Sequence, residues 1–187
     1  MAAALHIVKY LKGTSNLGLF YSSSSPFNVI AYSDADWSSC QFSSRSLSAY
    51  CVFLGNNLVS WKTRKKKTVS KSSVEVEYRS MSSAASELVW IMGLLEDLQV
   101  QVTLPIVLHC DNKAAEHIAH NPIFHERTKH LTRDCHYKSE KIDSGFLTTS
   151  HVSSSMELAD LLNKALPVHQ HNVLSSKLGL VKLEGGI

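Results

Sequence analysis

The segment that most constrains the fold is FNVIAYSDADW at residues 27–37, a short apolar run that ends in two carboxylates. Residues 27–33 are rich in strand formers, which predicts a buried strand. Asp34 and Asp36 then bring negative charge against a hydrophobic core, where an unpaired carboxylate is costly. Such an arrangement is typical of a bound cation. Both acids share one strand parity, so alternation alone does not choose between them as a ligand.

The order of the predicted elements indicates the fold class. Strands are predicted over Ala49–Leu54 and Leu58–Trp61, and Gly55-Asn56-Asn57 between them is a strong hairpin signal, so the first three strands form an antiparallel meander. A long helix is predicted over Ser73–Leu98, with a capping box at its start. The remaining predicted elements are strands over 104–110 and 146–152 and helices over 2–12, 112–119, 125–143, 156–166 and 168–178. This order predicts a mixed α/β sheet with a helical layer.

Three further carboxylates are candidates for the same site. Glu77 projects onto the apolar face of the long helix and needs a partner there, whereas Glu75 points away and fits the capping role. Asp111 closes one strand and opens a helix, which fits either an N-cap or a ligand beyond the end of a strand. Asp160 lies near a helix start, where a solvated carboxylate is the simpler interpretation.

Carboxylates that converge from separate elements have a specific chemistry. They would hold two Mg²⁺ ions, or Mn²⁺, about 3.5–4 Å apart and activate a water for phosphodiester cleavage. The basic segment at 61–71 could then hold a nucleic-acid backbone, although the same charges also fit a solvated hairpin. Its candidate contacts are Lys62, Arg64, Lys65, Lys66, Lys67 and Lys71. The ten histidines show no zinc-site spacing, and no P-loop, GxGxxG or GxSxG motif occurs.

Composition limits the class of protein. The apolar fraction of 44% in 187 residues is enough for one domain with a real core. No apolar run reaches about 18 residues, so no transmembrane helix and no membrane partner are expected. No basic region precedes the short apolar patch at the N-terminus, so a secretory signal is not expected. We therefore expect an intracellular location.

Six ordered motifs closely resemble the ribonuclease H region of copia-type retrotransposon Pol polyproteins. They are YSDADW at 32–37, AYCVFLGNNLVSWKTRKKKTVSKSS at 49–73, VEVEYRSM at 74–81, ELVWIMGLLEDL at 87–98, LHCDNKAAEHIAHNPIFHERTKH at 108–130 and ELADLLNKAL at 157–166. The leading LHIVKYLKGT resembles the tail of the preceding reverse transcriptase, and KLGL at 177–180 resembles the usual end of the polyprotein.

The resemblance implies a ribonuclease H-like fold over residues 26–166, with a five-stranded mixed sheet whose first three strands are antiparallel. It implies that residues 1–20 are a remnant of the reverse transcriptase and that residues 167–187 are a C-terminal helix and tail. By resemblance, Asp34, Glu77, Asp111 and Asp160 would ligate two Mg²⁺ ions, with Asp36 in reserve for the first position.

The activity that the resemblance implies is cleavage of the RNA strand of an RNA–DNA hybrid during reverse transcription. The partners would be the hybrid and the reverse transcriptase domain, in a cytoplasmic particle or the nucleus. His151 lies near the last aspartate, but its offset differs from that of the mobile histidine of cellular ribonucleases H. Two alternatives are an inactive remnant that retains the fold and a zinc-dependent binding module, whose ligand spacing is absent.

Overall fold

The computed structural model of the chain describes residues 1–120 and 140–183, apart from the side chains of residues 2, 3 and 118–120. Its strands are β1 (Leu17–Leu19), β2 (Val29–Asp36), β3 (Leu47–Leu54), β4 (Asn57–Lys65), β5 (Ile106–Cys110), β6 (Leu147–His151) and β7 (Leu180–Lys182). Its helices are α1 (Ala2–Thr14), α2 (Ser73–Asp97), α3 (Lys113–His120), α4 (Asp160–Asn163) and α5 (Val168–Lys177). Most of the helix predicted over 125–143 lies outside the described residues, and its last part, 140–143, is helical.

The central sheet has five strands in the order β4-β3-β2-β5-β6. The first three are antiparallel neighbours, and β5 and β6 continue the sheet in parallel with β2. The mixed sheet with its antiparallel meander is therefore confirmed. Because β2 and β5 run in parallel, their carboxyl ends meet at one edge, where ligands gather in such sheets.

A tight turn joins β3 to β4 and requires glycine. Gly55 has a φ of +60°, and a Cβ at this position would approach the Pro26 carbonyl oxygen to 2.3 Å. A residue with a side chain would be strained by its backbone conformation and would clash with main chain. The hairpin that was predicted from Gly55-Asn56-Asn57 therefore has a specific physical cause.

The two faces of the sheet carry separate cores because successive side chains of a strand point to opposite sides. On one face, α2 packs on Ala31 and Val52 through apolar residues that include Met81 and Leu88. On the other face, Cys51, Phe53 and Leu58 pack against Leu158, Leu174 and Leu178 from the C-terminal segment. Thus α2 covers one side of β2, while α4 and α5 approach from the other.

Two predicted strand boundaries were wrong in ways that matter for function. Strand β2, the first strand predicted, continues to Asp36 instead of stopping at residue 33, because Asp34 and Asp36 pair with Ala49 and Leu47 of β3. Asp36 lay beyond the end of the predicted strand, and it is instead the last strand residue. Strand β4, which was predicted to end at Trp61, continues to Lys65, so part of the basic segment is a strand.

The helix predicted over 156–166 is reduced to the four residues of α4. Before it, the Glu157 carboxylate accepts a hydrogen bond from the Ala159 backbone N–H at 3.1 Å, which competes with a helical pattern. After it, Lys164 has extended backbone dihedrals. Glu157 and Lys164 therefore flank one short turn that presents Asp160.

The N-terminal helix has an apolar face that the described residues do not cover. Leu5, Val8 and Leu11 are each more than half exposed. After α1, strand β1 pairs with β7 in a small antiparallel sheet that joins the two terminal segments. Among the described helices, none combines the length and apolar character needed to cross a membrane.

Candidate active site

Asp34 lies within β2 and its side chain is fully buried. Its Oδ2 accepts a hydrogen bond from Asn163 Nδ2 at 2.8 Å, and its Oδ1 accepts one from Lys164 Nζ at 3.0 Å. On the other side of the strand, the Ser80 hydroxyl of α2 lies 2.9 Å from the Asp34 carbonyl oxygen and 3.1 Å from that of Ala49. Contacts from both faces of the sheet therefore fix the position of this carboxylate.

Glu77 enters the site from the start of α2. Ser72 caps the helix by accepting a hydrogen bond from the Glu75 backbone N–H, and Glu75 accepts one from the Lys71 backbone N–H. Glu77 is not needed for capping and is buried, and its Oε2 has no hydrogen-bond partner among the described residues. Burial, followed by repulsion from Asp34 and Asp111, raises the pKa of Glu77 to about 10.

Asp111 follows the last residue of β5 and lies at the carboxyl end of the strand. The N-cap of α3 is the next residue, Asn112, whose Oδ1 accepts a hydrogen bond from the Ala115 backbone N–H at 3.0 Å. The N-cap interpretation of Asp111 was therefore wrong. Its Oδ2 instead accepts a hydrogen bond from the Ser154 hydroxyl at 2.8 Å. The Asp111 carboxylate is left available to the site.

Asp34, Glu77 and Asp111 come together although they lie on three separate elements. One carboxylate oxygen of each lies within 4.8 Å of the others. Three hard oxygen donors with an unpartnered Glu77 oxygen are the ligand set that a divalent ion such as Mg²⁺ prefers. The cluster therefore fits a divalent metal site.

Asp160 stands beside this cluster at the start of α4 and is buried. Its Oδ1 accepts a hydrogen bond from Lys164 Nζ at 2.7 Å, and the same ammonium lies 3.9 Å from Asp111 Oδ2. Burial raises the pKa of Asp160 to about 7, although the hydrogen bond from Lys164 opposes the shift. The alternative of a solvated carboxylate at Asp160 does not fit this burial.

Lys164 was not predicted to belong to the site. Its ammonium contacts Asp34 and Asp160 directly and lies close to Asp111. Lys164 therefore pairs with three of the four predicted acids. Burial alone would lower the pKa of Lys164, but the pairs with Asp160 and Asp34 outweigh burial and raise it. The signal in the sequence was the spacing of four residues between Asp160 and Lys164, which pairs opposite charges on a helical turn.

Glu157 is a second residue that sequence reasoning missed. It is fully buried, and while one oxygen bonds to the Ala159 N–H, its Oε2 has no hydrogen-bond partner among the described residues. Burial is the main cause that raises the pKa of Glu157, and repulsion from Asp34, Asp160 and Asp111 adds to it. It opens the motif ELADLLNKAL three residues before Asp160, but nothing in that motif separates it from an exposed acid.

Asp36 does not join the cluster of three carboxylates, although it lies on the same side of β2 as Asp34. It is partly exposed at the end of the strand. Burial raises the pKa of Asp36, and Lys164 opposes the shift. The geometry thus brings Asp34, rather than Asp36, together with Glu77 and Asp111.

The predicted nucleic-acid contacts are distributed over two sides of β4. Lys62, Arg64 and Lys66 line a pocket against α2. Lys65 points the other way, and its ammonium lies 2.9 Å from Cys40 Sγ. Lys67 and Lys71 are exposed in the connection that leads to α2. The basic segment is therefore not one uniform surface.

Sequence comparison finds close relatives for almost the whole chain. It is 39% identical over 98% of its length to the retrovirus-related Pol polyprotein from transposon RE1 of Arabidopsis thaliana. It is also 39% identical, over 97% of its length, to the corresponding polyprotein from transposon RE2 of the same plant. The chain spans only 12% of each of these polyproteins. No protein-family model matches the chain.

Comparison with solved structures identifies the fold. The N-terminal RNase H domain of a Mycobacterium tuberculosis protein, solved as a fusion with maltose binding protein, superposes with a TM-score of 0.52. The match covers 80% of this chain and 97% of that one at 10% sequence identity. The homologues of this chain are thus retrovirus-related Pol polyproteins of plant transposons, and its fold is that of ribonuclease H.

Proposed function

We propose that the chain is the ribonuclease H of a copia-type retrotransposon and hydrolyses the RNA strand of RNA–DNA hybrids. The observation that carries the proposal is the convergence of Asp34, Glu77 and Asp111, with one oxygen of each within 4.8 Å of the others. The homologous Pol polyproteins support the retroelement origin. The cleavage that we propose is endonucleolytic.

Asp34, Glu77 and Asp111 would hold Mg²⁺, or Mn²⁺, and Asp160 would complete a second ion site. When bound, such ions supply a water of lowered pKa and stabilise the leaving oxygen of a phosphodiester. Because the pKa of Glu77 is raised to about 10, its carboxyl holds a proton at neutral pH until a cation takes the proton's place. Metal binding is therefore expected to release a proton from Glu77.

The remaining polar residues of the site orient the carboxylates and neutralise part of their charge. Asn163 and Lys164 hold the two oxygens of Asp34, and Ser154 holds one oxygen of Asp111. These contacts fix the carboxylates before a substrate arrives, which lowers the cost of organising the site. Lys164 also places a positive charge among these acids, through its ion pairs with Asp34 and Asp160.

The decisive experiment is cleavage of a labelled RNA–DNA hybrid in Mg²⁺, with Asp34→Asn and Glu77→Gln as test variants. Glu96→Gln is the matched control, because Glu96 is an exposed acid on the same helix. Wild type and the control should cut, and both test variants should lose at least about 100-fold in rate.

Two results would change the proposal. If all four proteins bind the hybrid and none cuts it, the chain is a folded remnant without activity. If Glu77→Gln still cuts in a metal-dependent way, the enzyme class stands and the ligand assignment fails.

We further infer that residues 26–166 form the ribonuclease H unit, that residues 1–20 extend from a reverse transcriptase domain, and that residues 167–187 form a C-terminal helix and tail. The exposed apolar residues of α1, such as Leu5 and Val8, support a partner on that side. The reverse transcriptase of the parent polyprotein is the proposed partner, and its site of action is a cytoplasmic particle or the nucleus. Co-purification of the two domains, with Leu5→Gln and Val8→Gln as disrupting changes, tests the contact.

A further inference from the structure

Helix α4, which carries Asp160, is a single turn, and so short a helix does not hold its position by its own hydrogen bonds. It has only four residues, and Ala159 before it has no side chain that would cap it. Residues 157–160 are nevertheless all buried. The groups that fix this turn therefore decide where the Asp160 carboxylate lies.

The hydrogen bonds of this turn begin at Glu157. The Asp160 backbone N–H donates to the Glu157 carbonyl oxygen, and the Leu161 N–H donates to the Leu158 carbonyl oxygen, each at 3.3 Å. The Glu157 carboxylate in addition accepts a hydrogen bond from the Ala159 N–H at 3.1 Å. A residue whose carbonyl accepts the first bond of a turn, and whose side chain accepts an N–H two residues later, makes the contacts of an N-cap.

The Ala159 N–H depends on this acceptor. Ala159 is fully buried, so its N–H cannot turn to solvent instead. A buried N–H that loses its acceptor is costly, and the turn would rearrange to recover a hydrogen bond. Asp160 is the next residue along the chain, and its side chain would move with the turn.

The negative charge of Glu157 has no cation to balance it. Among the ion pairs formed within residues 1–120 and 140–183, none involves this side chain. Its second oxygen, Oε2, is buried and has no hydrogen-bond partner in the same part of the chain. The turn thus uses the length and the accepting oxygen of the Glu157 side chain, and its charge makes no favourable contact.

Other contacts hold the two sides of this cap. Leu158 belongs to the apolar core that also contains Phe53 and Leu174. At the far end of the turn, the Lys164 N–H donates to the Asp160 carbonyl oxygen at 2.9 Å, and its ammonium donates to Asp160 Oδ1 at 2.7 Å. The hydrogen bond from Ala159 to Glu157 lies between the anchored core residue and the acid of the site.

We propose that Glu157 is a positioning residue for the second ion site, where its side chain accepts the Ala159 N–H and so holds Asp160 beside the carboxylate cluster. The inference rests on the proposed function, because it takes Asp160 as a ligand of the second ion. Groups that orient a metal ligand typically contribute about 10–100-fold to metal affinity or activity. A neutral side chain of the same length that accepts the same bond should serve as well as the native one.

The test compares Glu157→Gln with Glu157→Met. Both changes remove the charge and keep the length of the side chain, but only glutamine keeps an accepting oxygen. Isothermal titration calorimetry with Mn²⁺ measures ion binding, and cleavage of the hybrid is a second readout. In Glu157→Met we expect the Kd of the weaker ion to rise at least about tenfold, with the tighter ion unchanged. Glu157→Gln should stay within about twofold of wild type.

Two further variants separate positioning from stability. Leu174→Ala removes a buried side chain from the same core as Leu158, so it should lower the melting temperature without changing Mn²⁺ affinity. Asp160→Asn removes the carboxylate that Glu157 is proposed to position. In that background, Glu157→Met should cause no additional change in Mn²⁺ binding, because the two residues act through one contact.

Four results would overturn the inference. They are wild-type Mn²⁺ binding in Glu157→Met, an equal loss in Glu157→Gln, additive losses in the double variant with Asp160→Asn, and a wild type that binds a single ion. If Glu157→Met does not fold, hydrogen exchange of the Ala159 amide decides, since it should be slow in wild type and in Glu157→Gln, and fast exchange in wild type refutes the bond. If wild type binds Mn²⁺ as expected and does not cut the hybrid, the proposed function fails while the role of Glu157 stands.

Discussion

Among single residues, Glu77 has the most informative surroundings. It is buried beside two other acids, and its pKa is raised to about 10 from an ordinary value near 4.5. An unfolded chain therefore loses this proton near pH 4.5, whereas the folded chain keeps it up to about pH 10. The stabilisation that this group gives the folded state is fully present below pH 4.5 and is lost as the pH rises through the pKa of the folded state.

We therefore expect the free energy of unfolding in EDTA to fall between about pH 5 and pH 10, by at most about 1.4 kcal/mol per pH unit from this group. Glu77→Gln should flatten that dependence, because the amide does not titrate. Urea unfolding at several pH values measures it, with Glu96→Gln as the control. An identical pH dependence in wild type and Glu77→Gln would contradict the assignment of this effect to Glu77.

Lys164 has the opposite role, since it neutralises the acids around it. Replacing it with Met leaves Asp34 and Asp160 without their cation, which should cost about 3 kcal/mol of stability in EDTA. A divalent ion would neutralise the same carboxylates, so Mg²⁺ should stabilise Lys164→Met more than wild type. Melting temperatures with and without Mg²⁺ test this, with Lys12→Met as the control. Equal stabilisation of both proteins by Mg²⁺ would argue that the lysine and the ion do not share ligands.

Among the elements, the junction of β5 and α3 separates two acceptors that look alike in the sequence CDN. Asn112 caps the helix, whereas Asp111 faces the site. We expect Asn112→Ala to cost about 1 kcal/mol of stability because the cap is removed. Asp111→Ala should abolish hybrid cleavage while the unfolding free energy does not fall. Chemical unfolding and cleavage assays on the two variants give the comparison, and a reversed pattern would show that the cap is Asp111.

The sequence predicted the elements well where the local signals were strong. The apolar run of β3 next to Gly55-Asn56-Asn57 sufficed for the hairpin, and the helical spacing of Met81, Leu88 and Ile91 sufficed for α2. It did not predict where β2 ends, because strand length depends on the partner Leu47–Ala49 rather than on local propensity. The helix over 156–166 failed for a similar reason, since the Glu157 side chain takes a backbone N–H that a helix would use.

The sequence revealed the three acids that cluster in the candidate site, but it revealed neither the buried Glu157 nor the cation of Lys164. Asp34, Glu77 and Asp111 each sit at a boundary or on an apolar face, where a charge is unusual and can be noticed. Lys164 and Asn163 look like ordinary polar residues in the sequence, and they reach Asp34 only through folding across 130 and 129 positions. Parity also could not separate Asp34 from Asp36, because both point to the same side of the strand.

At the level of the whole molecule, α1 stands out because its apolar side chains are exposed. Leu5→Gln combined with Val8→Gln should leave the unfolding free energy of the isolated chain within about 0.5 kcal/mol of wild type, since neither residue is buried. Urea unfolding measures this, and Val52→Gln in the core should by contrast be strongly destabilising. A large decrease in the double variant would mean that α1 packs on the domain after all.

The small sheet of β1 and β7 has a consequence for how such a domain sits in a longer chain. Leu17 pairs with Lys182, and two backbone hydrogen bonds, from Phe20 to Gly179 and from Leu183 to Asn16, extend the pairing. The segments before and after the central sheet thus lie side by side, because β1 and β7 are hydrogen-bonded neighbours. A domain closed in this way could be carried within a larger protein without separating the segments on either side of it.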